Sequence, residues 1–432
     1  MLCVVGLTEQ RRRRELDTSR FRQMAASGRE KQNLRWSSAV SDSPSFTEAV
    51  NQASEQILAN LDGQHPDLAV VFISSHHAPS YFTAPEVLAE ALGAKVMIGC
   101  SAAGVIGGGQ EVERRPGIAI SAAVLPGVDI KPFHLNQDEL PSPDAAPREW
   151  HSLLGIQPED CPAIMLLPDP YTLRSDHLLA GLDFAYPEAV KIGGLASGGG
   201  RPGTNALFVD EKSVRSGAVG VAFNGDLVVE TIVAQGCRPI GEPHLVTESE
   251  INVISKLGDQ TPLEVLRELF DAAETRDKRL IRRSLQIGII MDRLAQDHSE
   301  GEFLIRNVLG ADDEDGTLAV GEVVQEGQVV QFFVRDAQAA DEDLRMILEE
   351  YIDNLDDGDV PASALLFSCL GRGQYLYGTP DHDTTMFTDM VADIPIAGFF
   401  SNGEIGPIGD QTFLHGYSAS FALFKQPSKL KS

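Results

Sequence analysis

The chain has 432 residues, 43% of them apolar, which is enough for about two to four domains with packed cores and excludes both a small disulfide-stapled scaffold and a wholly disordered protein. Its 63 Asp and Glu residues outnumber its 35 Lys and Arg residues, giving a formal net charge of −28. A field of this sign repels phosphate backbones and anionic lipid, so we expect neither nucleic-acid nor membrane-surface binding.

The N-terminal segment is basic, in contrast to the acidic remainder of the chain taken together. Residues 1–36 carry nine Lys or Arg residues, four of them consecutive at positions 11–14. The segment has no apolar core of the kind that a signal peptide contains. We predict a disordered basic tail over residues 1–44; a transit peptide, or a true start at Met24, remains open.

The cysteines and the longest apolar runs point to one compartment. The chain has no CxxC pair, and its five cysteines are widely spaced: Cys3, Cys100, Cys161, Cys237 and Cys369. This pattern indicates a reducing compartment rather than disulfide bonds or a zinc ribbon. Because no apolar run approaches the roughly 18 residues of a membrane span, we expect a cytoplasmic protein without such a span.

The globular body begins with a predicted helix after Ser45, which has a Glu three residues later as in a capping box. A pattern of strand, helix, strand, glycine-rich loop and closing strand then occurs three times. The first strands of the three copies are predicted at 68–74, 163–167 and 364–367, and the glycine loops begin at Gly99, Gly193 and Gly398. These similar spacings predict a threefold internal repeat.

The segment between the second and third copies differs from the repeat. Residues 217–236 and 318–337 have the pattern of strand hairpins, and helices are predicted after Thr261 and over residues 341–355. We therefore predict an α/β protein of two layered halves with mixed sheets, built on the threefold repeat. The predicted domains are 45–245 and 246–425.

Each glycine loop has the form G-x-x-x-x-G. Glycines directly after a buried strand allow backbone N–H groups to approach a ligand closely, and a carboxylate or another anion suits such a site. The alternative is a tight turn between strands with no ligand. The first loop has Val105 and Ile106 where a nucleotide-binding loop requires Lys and Ser or Thr, so nucleotide binding is disfavoured.

The strongest candidate for chemistry is the segment Phe367 to Gly373, in which Cys369 ends a strand and Arg372 lies between two glycines. Arg372 could hold a carboxylate in bidentate fashion, and its charge would favour a Cys369 thiolate. The alternative is a packed cysteine beside a structural arginine.

A second group of polar residues surrounds the third loop. Glu404 is set among glycines and could accept a ligand's ammonium group, so that Arg372 and Glu404 together would complement a zwitterion such as an amino acid. The alternative is a turn in which Asn402 and Glu404 bond the backbone.

Metal and cysteine chemistry have weaker support. No H-x-x-x-H or H-E-x-x-H spacing occurs among the potential metal ligands His76, His77, His382 with Asp381 and Asp383, and His415. We expect no metal and no cofactor. A cysteine-dependent enzyme would need His382 or His415 as a base beside Cys369, and no nucleophile signature supports it.

With these motifs, the sequence resembles the FIST family, the F-box and intracellular signal transduction domain. The resemblance rests on residues 98–104, Phe367 to Gly373 and Gly398 to Gly406, and covers about residues 45–425. It implies an N-terminal and a C-terminal FIST part and a sensory module that binds small ligands such as amino acids. Residues 1–44 are too few and too polar for an F-box.

The sequence therefore predicts a small-molecule sensor in signal transduction, without catalysis and with an unidentified signalling partner. A cysteine-dependent enzyme and a non-catalytic interaction scaffold remain as alternatives. The predicted ligand-binding residues are Gly99, Cys100, Ser101, Gly104, Cys369, Arg372, Ser401, Asn402 and Glu404.

Overall fold

The computed structural model describes residues 34–291, 303–356 and 359–427. These residues form two compact units. The first unit comprises the described parts of Met1–Ala234, Arg345–Leu414 and Ser418–Ser432. The second comprises those of Gln235–Leu344 and His415–Tyr417. The chain thus passes from the first unit to the second and returns at Arg345, where it remains except for His415–Tyr417.

The first two copies of the repeat occupy the N-terminal part of the first unit. The first copy contains β1 (Arg35–Ser41), α1 (Phe46–Asn60), β2 (Leu68–Ser74), α2 (Ala84–Leu92), β3 (Val96–Ala102), β4 (Gly104–Gly107), β5 (Gln110–Glu113) and β6 (Ile118–Val124). The second contains β7 (Val128–Leu135), α3 (Pro147–Leu154), β8 (Ala163–Pro168), α4 (Ser175–Ala185), β9 (Val190–Gly194), β10 (Leu207–Val209), β11 (Lys212–Val214) and β12 (Ala218–Gly225). Strand β13 (Val228–Ala234) follows.

The second unit is built on a closed six-stranded sheet. It contains β14 (Cys237–Glu250), β15 (Val253–Leu257), α5 (Pro262–Ala272), α6 (Thr275–Ser284), β16 (Leu285–Ile290), β17 (Phe303–Ala311), β18 (Leu318–Val320) and β19 (Val329–Arg335). The strands close in the order β14-β15-β18-β17-β16-β19. Residues of α5 and α6 pack on its apolar core together with Ile287 and Phe332.

Helix α7 (Ala337–Asp353) leads back to the first unit, where the third copy of the repeat lies. This copy contains β20 (Ser363–Cys369), α8 (Gln374–Tyr377), α9 (His382–Met390), β21 (Ile396–Ser401), β22 (Glu404–Ile408), β23 (Gln411–His415) and β24 (Ala419–Lys425). The compact units therefore group the third copy with the first two. The division at residue 245, which follows chain order, stays a prediction.

The first unit contains three mixed six-stranded sheets with a common strand plan. Their orders are β1-β6-β2-β3-β10-β11, β7-β12-β8-β9-β22-β23 and β13-β24-β20-β21-β4-β5. Each sheet contains a parallel pair formed by two strands of one copy, namely β2 and β3, β8 and β9, or β20 and β21. The strand that closes the same copy, β6, β12 or β24, pairs antiparallel with the first member of that pair. The predicted α/β class with a threefold repeat is confirmed.

The short hairpin after each glycine loop joins the sheet of a different copy. The hairpin β4–β5 of the first copy pairs with β21 of the third, β10–β11 of the second pairs with β3 of the first, and β22–β23 of the third pairs with β9 of the second. The pairing position is similar in all three exchanges. The first glycine of each loop lies opposite the second or third residue of the incoming strand, and these glycines are Gly398, Gly99 and Gly193. Each sheet is thus completed by another copy.

The strands in these sheets are buried on both faces. In β2, Leu68, Val70 and Phe72 belong to the core shared by the three sheets, and the residues between them pack toward α1 and α2. The ring centroids of Phe72 and Phe399, from two sheets, lie 4.7 Å apart. Alternate side chains point to opposite faces, so a continuous apolar run such as β2 suits a strand covered on both sides.

The helix starts follow the sequence pattern. Ser45 accepts a hydrogen bond from the backbone N–H of Glu48 at the start of α1. Thr261 and Glu264 form a reciprocal capping box at the start of α5. Both predicted N-caps are confirmed, because a side-chain oxygen satisfies an N–H group that has no partner within its helix.

Two predictions about local structure are wrong. Residues 35–41, assigned to the tail, form β1, which pairs with β6, and its Trp36 ring stacks on Phe424 at 4.6 Å. The sequence hides this strand because three of its buried residues are serines. Residues 1–33 of the tail lie outside the described residues. The hairpins at 217–236 and 318–337 do not form either, since their strands pair with other strands.

Among the helices of the described residues, none is both long enough and apolar enough to cross a membrane.

Candidate functional site

The three glycine loops meet in the first unit. Ser197 of the second loop accepts a hydrogen bond from the backbone N–H of Ala103 in the first loop at 3.0 Å. Its hydroxyl donates to the carbonyl oxygen of Phe400 in the third loop at 2.5 Å. A single buried side chain therefore connects the loops of all three copies.

Backbone hydrogen bonds reinforce this meeting point. The N–H of Leu195 donates to the carbonyl oxygen of Gly403 at 2.9 Å, and the N–H of Asn402 donates to that of Leu195 at 3.1 Å. The N–H groups of Ser197 and Gly198 both donate to the carbonyl oxygen of Ser101 at 3.1 Å. These N–H groups are bonded to neighbouring loops, and the loops hold one another in place.

The first glycine of each loop has a packing role. A Cβ atom added at Gly99 would lie 2.0 Å from the carbonyl oxygen of the adjacent parallel strand, and at Gly193 or Gly398 that distance would be 1.8 Å. No side chain fits at such a distance. These glycines are required by the close approach of two strands in each sheet.

The other predicted residues of the first loop lie in the interior. Cys100 is fully buried, and burial raises its thiol pKa well above the ordinary value. The Ser101 hydroxyl donates to Asn205 Oδ1 at 3.2 Å and accepts from the N–H of Ala206 at 2.9 Å. A Cβ atom at Gly104 would lie 2.8 Å from the Phe400 ring. These contacts fix the loop within the core.

The predicted arginine lies beside this meeting point in a buried network. Arg372 follows the end of β20 and is only 1% exposed. Its Nε and Nη2 atoms donate to the two carboxylate oxygens of Asp383 at 2.8 and 3.0 Å, and Nη2 also donates to the Tyr377 hydroxyl at 2.6 Å. Its Nη1 atom is buried and has no hydrogen-bond partner within the described part of the chain.

The charges of this pair favour each other. Burial alone would raise the pKa of Asp383, but the Arg372 guanidinium lowers it below the ordinary value. Burial likewise opposes the charge of Arg372, and Asp383 reverses that effect, so the pKa of Arg372 is raised. Both residues therefore stay ionised in the interior, and Arg372 is held in one orientation with an N–H edge left over.

Glu404 lies close enough to Arg372 for the guanidinium charge to act on it. It is fully buried, its Oε1 accepts from the Ser401 hydroxyl at 2.8 Å, and its Oε2 accepts from the Ser418 hydroxyl and N–H at 2.8 and 3.2 Å. Burial raises its pKa to about 7, against the opposing effect of these hydrogen bonds and of Arg372. Asn402, in contrast, is exposed.

Sequence reasoning missed two carboxylates that the exchanged hairpin β4–β5 brings to this place. Glu111 is 4% exposed, and its Oε1 accepts from the N–H and the hydroxyl of Thr384 at 3.1 and 3.2 Å. Glu113 accepts from the N–H of Gln374 at 2.7 Å. No local signal predicts either residue, because both lie about 270 residues before their partners.

Burial raises the pKa of Glu111 to about 8, and the negative charge of Asp383 adds to the effect. The Oε2 atom of Glu111 is buried, and the described residues offer it no hydrogen-bond partner. The network thus contains one donor, Arg372 Nη1, and one acceptor, Glu111 Oε2, that residues 34–291, 303–356 and 359–427 leave without a hydrogen bond.

A cysteine-dependent enzyme would use Cys369 with His382 or His415. Cys369 is half-buried at the end of β20. The His382 ring stacks on Tyr377 with centroids 3.4 Å apart, and its Nδ1 atom lies 3.1 Å from Asp383 Oδ1. His415 belongs to the second compact unit. His382 therefore contacts two members of the arginine network, Tyr377 and Asp383.

Comparison with known proteins places these features in a family. The FIST N domain model matches residues 67–260, and the FIST C domain model matches residues 262–407. Together the two models cover the three glycine loops, the hairpin with Glu111, and the arginine network.

Similar proteins are found in mycobacteria and in a plant. An uncharacterised protein of Mycobacterium tuberculosis is 38% identical over 396 residues, covering 90% of this chain and 100% of the relative. One of Mycobacterium bovis is 36% identical over 399 residues, covering 90% and 99%. An F-box/LRR-repeat protein of Arabidopsis thaliana is 25% identical over 140 residues, covering 29% and 26%.

Among solved structures, that of a cyanuric acid hydrolase aligns with 91% of this chain and 100% of its own, at 9% identity and a TM-score of 0.30.

Proposed function

The chain belongs to the FIST family, whose domains are sensory domains of signal transduction, and from that premise we propose that it binds a small-molecule ligand at the buried Arg372 network. The ligand would be an amino acid or a related carboxylate. Its binding would be passed on to a signalling protein that is still to be identified.

One observation carries this proposal, the buried Nη1 atom of Arg372 that has no partner in the described chain. A buried donor left without a hydrogen bond costs about 1–3 kcal/mol, and more when it is charged. Asp383 and Tyr377 already fix the other edge of the guanidinium. A carboxylate oxygen of a ligand would satisfy Nη1 without any reorganisation of the arginine, and preorganisation of this kind favours affinity.

The surroundings support a zwitterion. Two buried carboxylates, Glu404 and Glu111, belong to this network, and carboxylates are the natural partners of an ammonium group. We further propose a cytoplasmic location, because the buried Cys100 and Cys161 are thiols outside any disulfide bond.

The proposal is tested by thermal-shift screening of amino acids, 2-hydroxy acids and short carboxylates. A ligand at 100 times its dissociation constant stabilises the folded protein by about 2.7 kcal/mol. We expect wild type to respond and R372K to lose the response, because lysine cannot bond Asp383 in bidentate fashion and also offer a free N–H edge.

The matched control is R174K, since Arg174 is 71% exposed and is paired with an exposed aspartate. This variant should respond as wild type does. If no compound stabilises wild type, or if R372K responds equally well, then the Arg372 network is not a carboxylate site.

A further inference from the structure

The Arg372 network contains a second buried atom that has no hydrogen-bond partner among the described residues. The first, Arg372 Nη1, is a donor, whereas the second, Glu111 Oε2, is an acceptor. Glu111 Oε1 is bonded to Thr384, but Oε2 is buried without a partner among the residues described. By comparison, both oxygens of Glu404 already accept hydrogen bonds, three in total from Ser401 and Ser418. Glu111 therefore has more unused accepting capacity than Glu404.

The exchanged hairpin fixes Glu111 at this position. Glu111 lies opposite Ile106 in β4–β5, and Ile106 pairs with Gly398 of β21. The N–H of Glu111 donates to Asp381 Oδ1 at 2.6 Å, so that backbone and side chain are both attached to the start of α9. The side chain cannot turn to solvent without breaking these bonds.

Glu111 and Arg372 are attached to consecutive residues of the first turn of α9. Arg372 bonds the side chain of Asp383, and Glu111 bonds the N–H and hydroxyl of Thr384. A ligand that satisfies both unused atoms must present an oxygen acceptor to the arginine and an N–H donor to the glutamate. Amino acids are the simplest molecules that carry these two groups on adjacent carbons.

We propose that Glu111 receives the amino group of the ligand, so that the site selects amino acids over their 2-hydroxy counterparts. This inference rests on the proposed function. It changes the sequence-based assignment, in which Glu404 was the ammonium partner, and it makes the first copy of the repeat supply a recognition residue to the third.

The test compares matched ligand pairs by isothermal titration calorimetry. Each amino acid that stabilises wild type is measured beside its 2-hydroxy acid, on wild type, E111Q, E404Q and E90Q. A hydrogen bond to a charged group contributes at least about a tenfold preference. We expect wild type to prefer the amino acid by about tenfold or more, and E111Q to bind the two within about twofold.

The E90Q variant is the control, because Glu90 is an exposed glutamate of α2 in the same compact unit. It should keep the wild-type preference, whereas E404Q distinguishes the two buried carboxylates. If E111Q keeps the preference, or if E404Q loses it instead, the assignment to Glu111 is wrong although the sensor proposal stands. If neither member of any pair binds wild type, the sensor proposal itself fails and the inference falls with it.

A measurement on wild type alone covers the case in which E111Q does not fold. Burial, together with Asp383, Asp381 and Glu113, raises the pKa of Glu111 to about 8, while the N–H of Thr384 opposes the shift. At pH 7 the Glu111 carboxyl of the ligand-free protein is therefore mostly protonated, and the ammonium group of an incoming ligand would displace this proton. Calorimetry in buffers of different ionisation enthalpy should show more proton release with the amino acid than with the 2-hydroxy acid; equal release would overturn the inference.

Discussion

Replacing Arg372 with methionine should destabilise the first unit strongly. The change removes three hydrogen bonds of the buried guanidinium and leaves Asp383, which is 1% exposed, without its arginine partner in the interior. Breaking a buried ion pair in this way costs about 3–5 kcal/mol. The double variant R372M/D383N should cost about 1–3 kcal/mol less than R372M, because no isolated charge remains.

The assay is equilibrium urea unfolding followed by tryptophan fluorescence. The two tryptophans of the chain, Trp36 and Trp150, are buried in the first unit and therefore report on the part that contains the network. The control R174M removes an exposed ion pair and should cost no more than about 1 kcal/mol. A loss below about 1 kcal/mol for R372M, or a double variant less stable than R372M, would refute this account of the network.

Three further changes test other features of the first unit. Replacing Ser197 with alanine should cost about 1–3 kcal/mol in urea unfolding, since two loops lose a buried hydrogen bond, whereas S80A should be close to neutral; equal losses would contradict a linking role. G193A should be destabilised by about 1–3 kcal/mol because its Cβ would clash with a carbonyl oxygen, whereas G200A, with open space around it, should not; similar melting temperatures for the two would argue against the strand contact. Because the pKa of Glu404 is raised to about 7, its contribution to stability is present below pH 4.5 and is lost as the pH rises through 7; E404Q should flatten the stability profile between pH 5 and 8, and an unchanged slope would contradict the shift.

Much of the fold follows from local sequence signals. The continuous apolar run of β2 predicts a strand covered on both faces, and Ser45 and Thr261 mark helix starts by hydrogen bonds within three residues. The recurring distance from first strand to glycine loop predicts the repeat because each copy must span the same parallel crossover. These features depend on interactions that are near in sequence or repeated.

The parts of the site that escaped prediction depend on distant pairing. Arg372 and Glu404 were predicted as site residues because glycines mark their segments. The sequence did not predict that Asp383 is the ion-pair partner of Arg372. Glu111 looks like an ordinary residue of an exposed hairpin. Its burial follows only from the pairing of β4 with β21, which is decided by how three sheets pack together.

The exchange of hairpins also constrains how the polypeptide can mature during synthesis. The strand β4 leaves the ribosome about 290 residues before Gly398, the residue that Ile106 must face. Until then one edge of the hairpin has no strand to bond, and an open edge is a template for unwanted association between chains. The three copies can therefore complete one another's sheets only late in synthesis. Newly made chains would benefit from chaperone protection until the last hundred residues have been translated.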